Sequence, residues 1–283
     1  MKLFDVYPLY DVTPTRAEDV YVYDAHGTKY LDLYGGHAVI SIGHSQSDFV
    51  SNIKEQLDQI AFYSNAVKNP LQGQLANAIA EHSCLYDYQL FLCSTGAEAI
   101  ENALKLASFH TQKKRVIAFE NAFHGRTSAA VSVTDNPSIN APLNAQHEVT
   151  FLPFNDHILL EKELKKGDVC AVIFEAIQGV GGLDQPDEGF IYAMESLCKK
   201  FDACLIADEV QSGFARTGTF FAFQKYRISP HIITMAKGMG NGFPIGGILI
   251  HPDIKSKYGL LGTTFGGNHL ACTASLSVLE VLK

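Results

Sequence analysis

The chain has 283 residues, 47% apolar and 18% charged, which fits a core-rich globule and excludes an intrinsically disordered chain. The 22 basic and 30 acidic residues leave a formal charge of −8 with no basic stripe or Arg-rich tail, which argues against a nucleic-acid partner. No apolar run reaches about 18 residues, so no membrane span is expected. MKLFDVYPLYD lacks a signal-like apolar core, and the six cysteines form no CxxC pair, so the expectation is a reducing cytoplasm with neither metal centre nor disulfide framework.

In chain order, residues 1–20 read as a polar and aromatic arm in which Tyr7, Pro8 and Tyr10 can anchor on a surface. VYVYDAHGTKYLDL predicts a hairpin turning at Ala25-His26-Gly27. In LYGGHAVISIGH, Gly35, Gly36 and Gly43 permit close backbone approach, and His37 and His44 read as structural hydrogen-bonding groups. Phe49, Ile53, Leu57 and Ile60 carry helical spacing, and so do Leu71, Leu75, Ala78 and Ile79 after a loop holding Asn65.

YQLFLCSTGAEAIENALKLASFH predicts a strand over Gln89 to Cys93, a turn at Ser94-Thr95-Gly96-Ala97, and a long helix with Ala99, Ala103, Leu106 and Ala107 on one face. A hydroxyl-glycine turn opening a helix offers free N–H groups and the positive end of the helix dipole to an anion. Taken alone it fits an ordinary N-cap equally well. KRVIAFENAFHGRTSAAVSVT predicts another strand, followed by a loop in which Phe123 can stack on a flat heterocycle and Arg126 can grip a carboxylate. A core Phe and a surface Arg satisfy the same residues. EVTFLPFND reads as a strand and DHILLEKELKKGD as a short surface helix, and VCAVIF is a buried strand ending at Glu175. Neither GVGG nor the later GMGNG has dinucleotide-binding spacing, which sets a Rossmann dehydrogenase aside.

FIYAMESLCKKFDA predicts a sheet-covering helix that delivers the chain to ACLIA, a short apolar strand stopping at Asp208. HIITMA stops in the same way at Lys237, 29 positions on. Apolar runs that end on a charge read as interior strands of a covered, largely parallel sheet, whose ligands sit at the strand carboxyl ends. An amine and an acid so placed suit pyridoxal phosphate: the amine holds the aldehyde as a Schiff base, and the acid keeps the pyridine nitrogen protonated. Gln211 can then reach the ring hydroxyl. The spacing by itself also fits a salt bridge or two unrelated rim charges. FPIGGILI is the next strand, with Pro252 marking its end, and Asn268 to Lys283 is helical.

ADEVQSGFARTG followed by TMAKGMGNGFPIGG resembles the signature of the class III aminotransferases, fold-type I pyridoxal phosphate enzymes, and within them the branch that acts on N-acylated ornithines. The likeness runs from Tyr7 to the last residue. It implies a three-layer α/β/α fold with a mostly parallel sheet and part of a smaller α+β lobe. It makes Lys237 the cofactor lysine and general base, with Asp208 at the ring nitrogen. Gln211 falls at the ring oxygen, Phe123 and Val210 on the two ring faces, and His124 in the loop beside them. Thr95, Gly96 and Ala97 form the phosphate cup, completed by Thr264 reaching across a homodimer with shared active sites. Arg126 is implied for the substrate carboxylate, and Tyr7, Tyr10, Asn65 and Glu175 fall on the substrate side.

The implied reaction takes an amino group from N-acetylornithine or N-succinylornithine to 2-oxoglutarate, as in arginine biosynthesis. Another class III activity on ω-amino acids or diamines, or an aminomutase, shares the cofactor residues. A non-catalytic relative of the fold is the third reading. The chain departs from the family at Ser94, where many relatives carry Asn, at Ala176 for Pro, and at Val180 for a Glu that pairs with a distant arginine and moves aside for glutamate. The expected organisation is an arm and hairpin over 1–49, a cofactor-binding domain over 50–265, and over 266–283 the start of a helix leading to a further small domain. SVLEVLK carries no stop signal, and the family continues beyond it, so the chain is expected to be part of a longer enzyme.

Overall fold

A computed structural model describes residues 1–283. The elements run β1 (Pro14–Glu18), β2 (Tyr21–Asp24), β3 (Lys29–Leu31), α1 (Gly35–Ala38), α2 (Ser47–Gln59), α3 (Pro70–Ser83), β4 (Gln89–Cys93), α4 (Gly96–Thr111), β5 (Arg115–Phe119), α5 (Ser128–Ser132) and β6 (Val149–Leu152). They continue as α6 (His157–Leu164), β7 (Val169–Phe174), α7 (Glu188–Lys200), β8 (Cys204–Asp208), β9 (Ile232–Met235), β10 (Gly246–Ile250) and α8 (His269–Val281). A seven-stranded sheet has the order β4-β10-β9-β8-β7-β5-β6. The pairings β5–β6, β5–β7, β7–β8 and β8–β9 are parallel, and β10 runs antiparallel to both of its neighbours.

Strand periodicity explains why the central runs are apolar throughout. In β7, Val169, Val172 and Phe174 join one core cluster while Cys170, Ala171 and Ile173 join the other; in β8, Leu205 and Ala207 face one way and Cys204 and Ile206 the other. Both faces are covered, so neither can be polar. α4 and α5 close one face through Ala99, Ile100, Ala103, Leu104 and Ala130. α3, α6, α7 and α8 close the other through residues such as Leu75, Leu160, Phe190 and Val278.

The helix starts follow capping chemistry. Asn69 accepts from the Leu71 N–H ahead of Pro70, and Asn268 accepts from the Ala271 N–H. α8 packs across α2, joined by Asn52 Nδ2 donating to Ser277 Oγ at 2.9 Å and Thr273 Oγ1 donating to Gln56 Oε1 at 3.2 Å.

Three elements were not legible in the sequence: the four-residue α1, with positive φ at Gly36 and His37 inside it, β1 and α5. Pro14–Glu18, inside the expected arm, pairs antiparallel with β2 and makes the hairpin a three-stranded sheet. Its PTRAE sequence has no apolar alternation, and the cross-strand stacking of Arg16 over the Tyr23 ring at 3.8 Å helps hold it. α5 has five residues, too short for a helical period; Glu101 Oε1 accepts from the Ala129 and Ala130 N–H groups and fixes its start. The hairpin turn itself is as expected: Asp24 Oδ1 accepts from the His26 and Thr28 N–H groups, and Gly27 takes φ +82°.

Candidate active site

The carboxyl ends of β4, β8 and β9 open onto a cavity of about 290 Å³. Nine of the ten residues expected at the cofactor line it: Thr95, Gly96, Ala97, Phe123, His124, Asp208, Val210, Gln211 and Lys237. The tenth, Thr264, is exposed on the segment before α8 and lies outside the cavity. Of the substrate-side residues, Glu175 lines the cavity. Arg126, Tyr7 and Tyr10 are exposed and outside it. Asn65 holds the Thr263–Gly266 turn instead, donating to the Gly266 carbonyl at 3.0 Å.

At one end of the cavity, Thr95 is the N-cap of α4, and its hydroxyl accepts from the Glu98 N–H at 3.1 Å. The N–H groups of Gly96 and Ala97 begin the helix and have no partner within it. A Cβ at Gly96 would stand 2.8 Å from Val210 Cγ1, so only glycine leaves that cradle its shape.

Asp208 stands at the other end and is braced from three elements. Thr234 Oγ1 and the Val210 N–H each donate to Oδ1 at 3.0 Å, and His124 Nδ1 lies 2.6 Å from Oδ2. His124 is fully buried; burial works against its charge, yet its bond to Asp208 and the charges of Asp208 and Glu175 outweigh that and raise its pKa. Its Nε2 has no partner. Glu175 Oε1 accepts from the Phe123 N–H at 3.0 Å and Oε2 from the Gly179 N–H at 3.1 Å, so this carboxylate ties the aromatic loop to the turn after β7. The Gln211 side chain lies against Gly179, where a Cβ would fall 1.7 Å from its Oε1.

Lys237 enters from the end of β9 with φ +46°, in the left-handed region. Its amine has no hydrogen bond or ion pair, and burial holds its pKa below the ordinary lysine value, with the Arg216 charge adding to the effect and Asp208 and Glu175 opposing it. A buried, unpartnered amine is a nucleophile waiting for an electrophile.

Beside Asp208, Glu209 is fully buried and points away from the cavity. It accepts from the Ala222 and Phe223 N–H groups and from Ser212 Oγ, and burial pushes its carboxyl up to about 7.

Sequence reasoning missed Thr234, whose signal was a lone hydroxyl inside an apolar strand. It also missed Val39, Phe243, Pro244 and Ile245 on the wall, which carry no polar signal. Val180 lies on the same wall, 64% exposed. The arrangement can bind an anion at the helix end, hold a heteroatom against a carboxylate at the other, and present an amine to a carbonyl between them. That donor set fits pyridoxal phosphate.

Known proteins resemble this chain along nearly its whole length. Residues 5–283 match the family model described as Aminotransferase class-III. An acetylornithine aminotransferase from Archaeoglobus fulgidus is 42% identical over 284 residues, 99% of this chain and 75% of that protein. The Bacillus subtilis protein of the same name is 39% identical over 286 residues, 99% and 73%. A solved structure of the Toxoplasma gondii ornithine aminotransferase, with partial occupancy of PLP at its active site, superposes with a TM-score of 0.90 at 29% identity, covering 98% of this chain and 68% of that one.

Proposed function

This chain belongs to the class-III aminotransferase family, and from that premise we propose that it transfers the terminal amino group of an N-acylornithine, acetyl or succinyl, to 2-oxoglutarate. Membership makes it a pyridoxal-phosphate-dependent aminotransferase of fold type I. The observation that carries the assignment of residues is the unpartnered Lys237 amine sharing one cavity with the braced Asp208 carboxylate and the open start of α4.

Bound there, pyridoxal phosphate supplies an electrophilic aldehyde and an electron-withdrawing ring. In this proposal Gly96 and Ala97 donate their free N–H groups to its phosphate beside the Thr95 hydroxyl, and Thr264 of a second subunit completes the cup in a homodimer. Asp208 would hold the ring nitrogen, Gln211 would donate to the ring oxygen, and Phe123 and Val210 would flank the ring and exclude water. The Lys237 amine would hold the aldehyde, and when free it would be the base for the donor-carbon proton, burial keeping its pKa low enough for that role. Arg126, on the loop that carries Phe123, has no salt-bridge partner and is the proposed grip on the donor's α-carboxylate. The cofactor-binding body is residues 50–265, and the setting is a reducing cytoplasm in which all six cysteines remain free.

Support for an N-acylornithine donor comes from the relatives of that name along 99% of the chain. One observation favours a second reading, an ω-amino donor without the acyl group: Val180 gives the cavity wall an apolar, exposed side chain, which cannot pair with a cation. The test is kcat/KM for N-acetylornithine, N-succinylornithine, ornithine and 4-aminobutyrate, each with 2-oxoglutarate. An acylornithine is expected to be best, because enclosing the free α-amine of ornithine leaves an unpaired charge. Ornithine or 4-aminobutyrate as the clear best donor overturns the assignment.

A further inference from the structure

The turn that carries Lys237 is not held by the sheet alone. From Lys237 to Gly242 the chain passes through a 3-10 turn (Lys237–Met239), Gly240 and Asn241, and its backbone departs from regular structure at Lys237 (φ +46°), Asn241 (φ +47°) and Gly242 (φ +101°). The internal bonds of this turn are few: Met239 N–H to Ala236 O, Gly240 N–H to Lys237 O, and Phe243 N–H to Gly240 O.

The rest of its support comes from residues about 200 positions earlier. Asn241 is buried, and its side chain uses both of its ends on one backbone stretch. Oδ1 accepts from the Ser41 N–H at 2.8 Å and the Ile42 N–H at 3.1 Å, and Nδ2 donates to the Gly43 carbonyl at 2.9 Å. Ser41 Oγ donates back to the Gly238 carbonyl at 2.8 Å, and a Cβ at Gly238 would touch Ser41 Cβ at 3.4 Å. On the other side, Arg216 donates to the Ala38 carbonyl at 2.8 Å and the Ile40 carbonyl at 3.1 Å. Residues 38–43 therefore form a strap seated on the lysine turn, and Val39 within that strap is part of the cavity wall. The strap's further end is fixed to the small sheet, where Asp19 and His44 exchange backbone bonds and His44 Nε2 meets Asp32 Oδ2 at 2.7 Å.

We propose that Asn241 is a positioning residue for the active-site lysine: through its three bonds to residues 41–43 it clamps the strap over the Lys237 turn, so that the seat of the small sheet sets the orientation and the dryness of the Lys237 amine. The physical grounds are direct. A left-handed lysine is held against its own backbone preference only if its surroundings over-determine it. A buried side-chain amide with both polar atoms used supplies that constraint at one point, because lifting the strap leaves the Asn241 amide buried without partners. Asparagine also suits the left-handed backbone that the position requires.

The clamp links to the chemistry through water. The charges facing the Lys237 amine are Asp208 and Glu175, which favour its protonated form, and Arg216, which opposes it; His124 stands behind Asp208. Burial is the largest influence, and it favours the neutral amine. Lifting residues 38–43 admits water past Val39 and moves Arg216 with the carbonyls it grips, and both changes favour protonation. Loss of the clamp therefore shifts the pH at which Lys237 becomes a free amine upward.

This inference rests on Lys237 being the reactive amine, and its test separates the two. In the full chain stripped of cofactor with hydroxylamine, each lysine is reductively methylated by formaldehyde and cyanoborohydride over a pH series and quantified by peptide mass spectrometry. Amide hydrogen exchange is followed in parallel. Asn241→Gly permits the left-handed backbone and removes the side-chain bonds, with added backbone freedom at that one position, and Ser41→Ala supplies the test free of that change. Asn241→Gly is expected to speed exchange in residues 38–43 and 236–243 about tenfold and to raise the Lys237 midpoint by about half a pH unit. Ser41→Ala, which loses a single bond, moves both readouts in the same direction by less. Asn241→Gly with wild-type exchange and a wild-type midpoint overturns the clamp and leaves Lys237 as the reactive amine. Faster exchange spread equally through β5 and β7 also overturns it, since general loosening is not a clamp. Wild-type Lys237 reacting no faster near neutral pH than the exposed lysines overturns both readings.

Discussion

The two ends of the mostly parallel sheet carry polar networks of opposite character. At the amino ends, Arg115 is buried among complete partners. It makes a bidentate contact with Asp168 (Nη2 to Oδ1 at 2.7 Å, Nε to Oδ2 at 3.0 Å), and Nη1 donates to Thr150 Oγ1 and Glu163 Oε2. Lys166 also closes on Glu163. At the carboxyl ends, the Lys237 amine, the His124 Nε2 and the first N–H groups of α4 are enclosed without partners. A satisfied buried charge braces the fold, and an unsatisfied one is poised for a ligand. The carboxyl end is also the more open of the two, with Lys237, Gly96 and Ala97 partly buried where Arg115 and Glu163 are buried, so incomplete partnering and access together separate function from structure here.

Substitutions at the two ends are expected to fail differently. The largest effect is on chemistry: Lys237→Ala removes the proton carrier and lowers kcat by a factor of roughly 10²–10⁴, while thermal unfolding stays close to that of the unaltered chain, as read by calorimetry of both proteins without cofactor. A large loss of stability in that variant would erase the distinction. Arg115→Leu reverses the pattern. It strips Asp168 of its cation and leaves Glu163 with Lys166 alone, and because Asp168 is half exposed the expected loss of stability is about 1–3 kcal/mol in denaturant titration, with the cofactor's affinity unchanged under conditions where the protein remains folded. A smaller effect is expected from Gly96→Ala. The new Cβ must push Val210 aside, at a cost of about 1–3 kcal/mol, which equilibrium cofactor titration would record as weaker binding with little change in the melting of the cofactor-free chain. Tight binding in that variant would show that the cradle at α4 has slack the geometry does not indicate.

The same contrast explains what the sequence made legible. ACLIAD and HIITMAK announce themselves because two-sided burial forces unbroken apolar runs and the strand ends then stand out as charges. Asp208 and Lys237 were read that way and the Thr95-Gly96-Ala97 turn from its hydroxyl-glycine pattern at a helix start; Phe123 and Gln211 were candidates by residue type and place, and the resemblance supplied Val210. Asn241, Thr234 and Ser41 stayed hidden because a buried polar residue bonding to backbone 200 positions away leaves no local period or motif. β1 stayed hidden because an exposed edge strand needs no apolar face. Tyr7, Tyr10, Asn65 and Thr264 took their substrate or cofactor roles from resemblance, and Arg126 from its residue type together with the resemblance; this single chain keeps them outside the cavity, where no side-chain contact assigns them a substrate or cofactor.

The central claim is that the amine at the end of β9 is the one that holds the cofactor. The chain is loaded with pyridoxal phosphate, reduced with borohydride and digested, and the phosphopyridoxyl mass is located by peptide sequencing. The account predicts that mass on Lys237 in near-stoichiometric yield and its absence from the Lys237→Ala variant; the same yield on another lysine, or an undiminished yield in the variant, contradicts it.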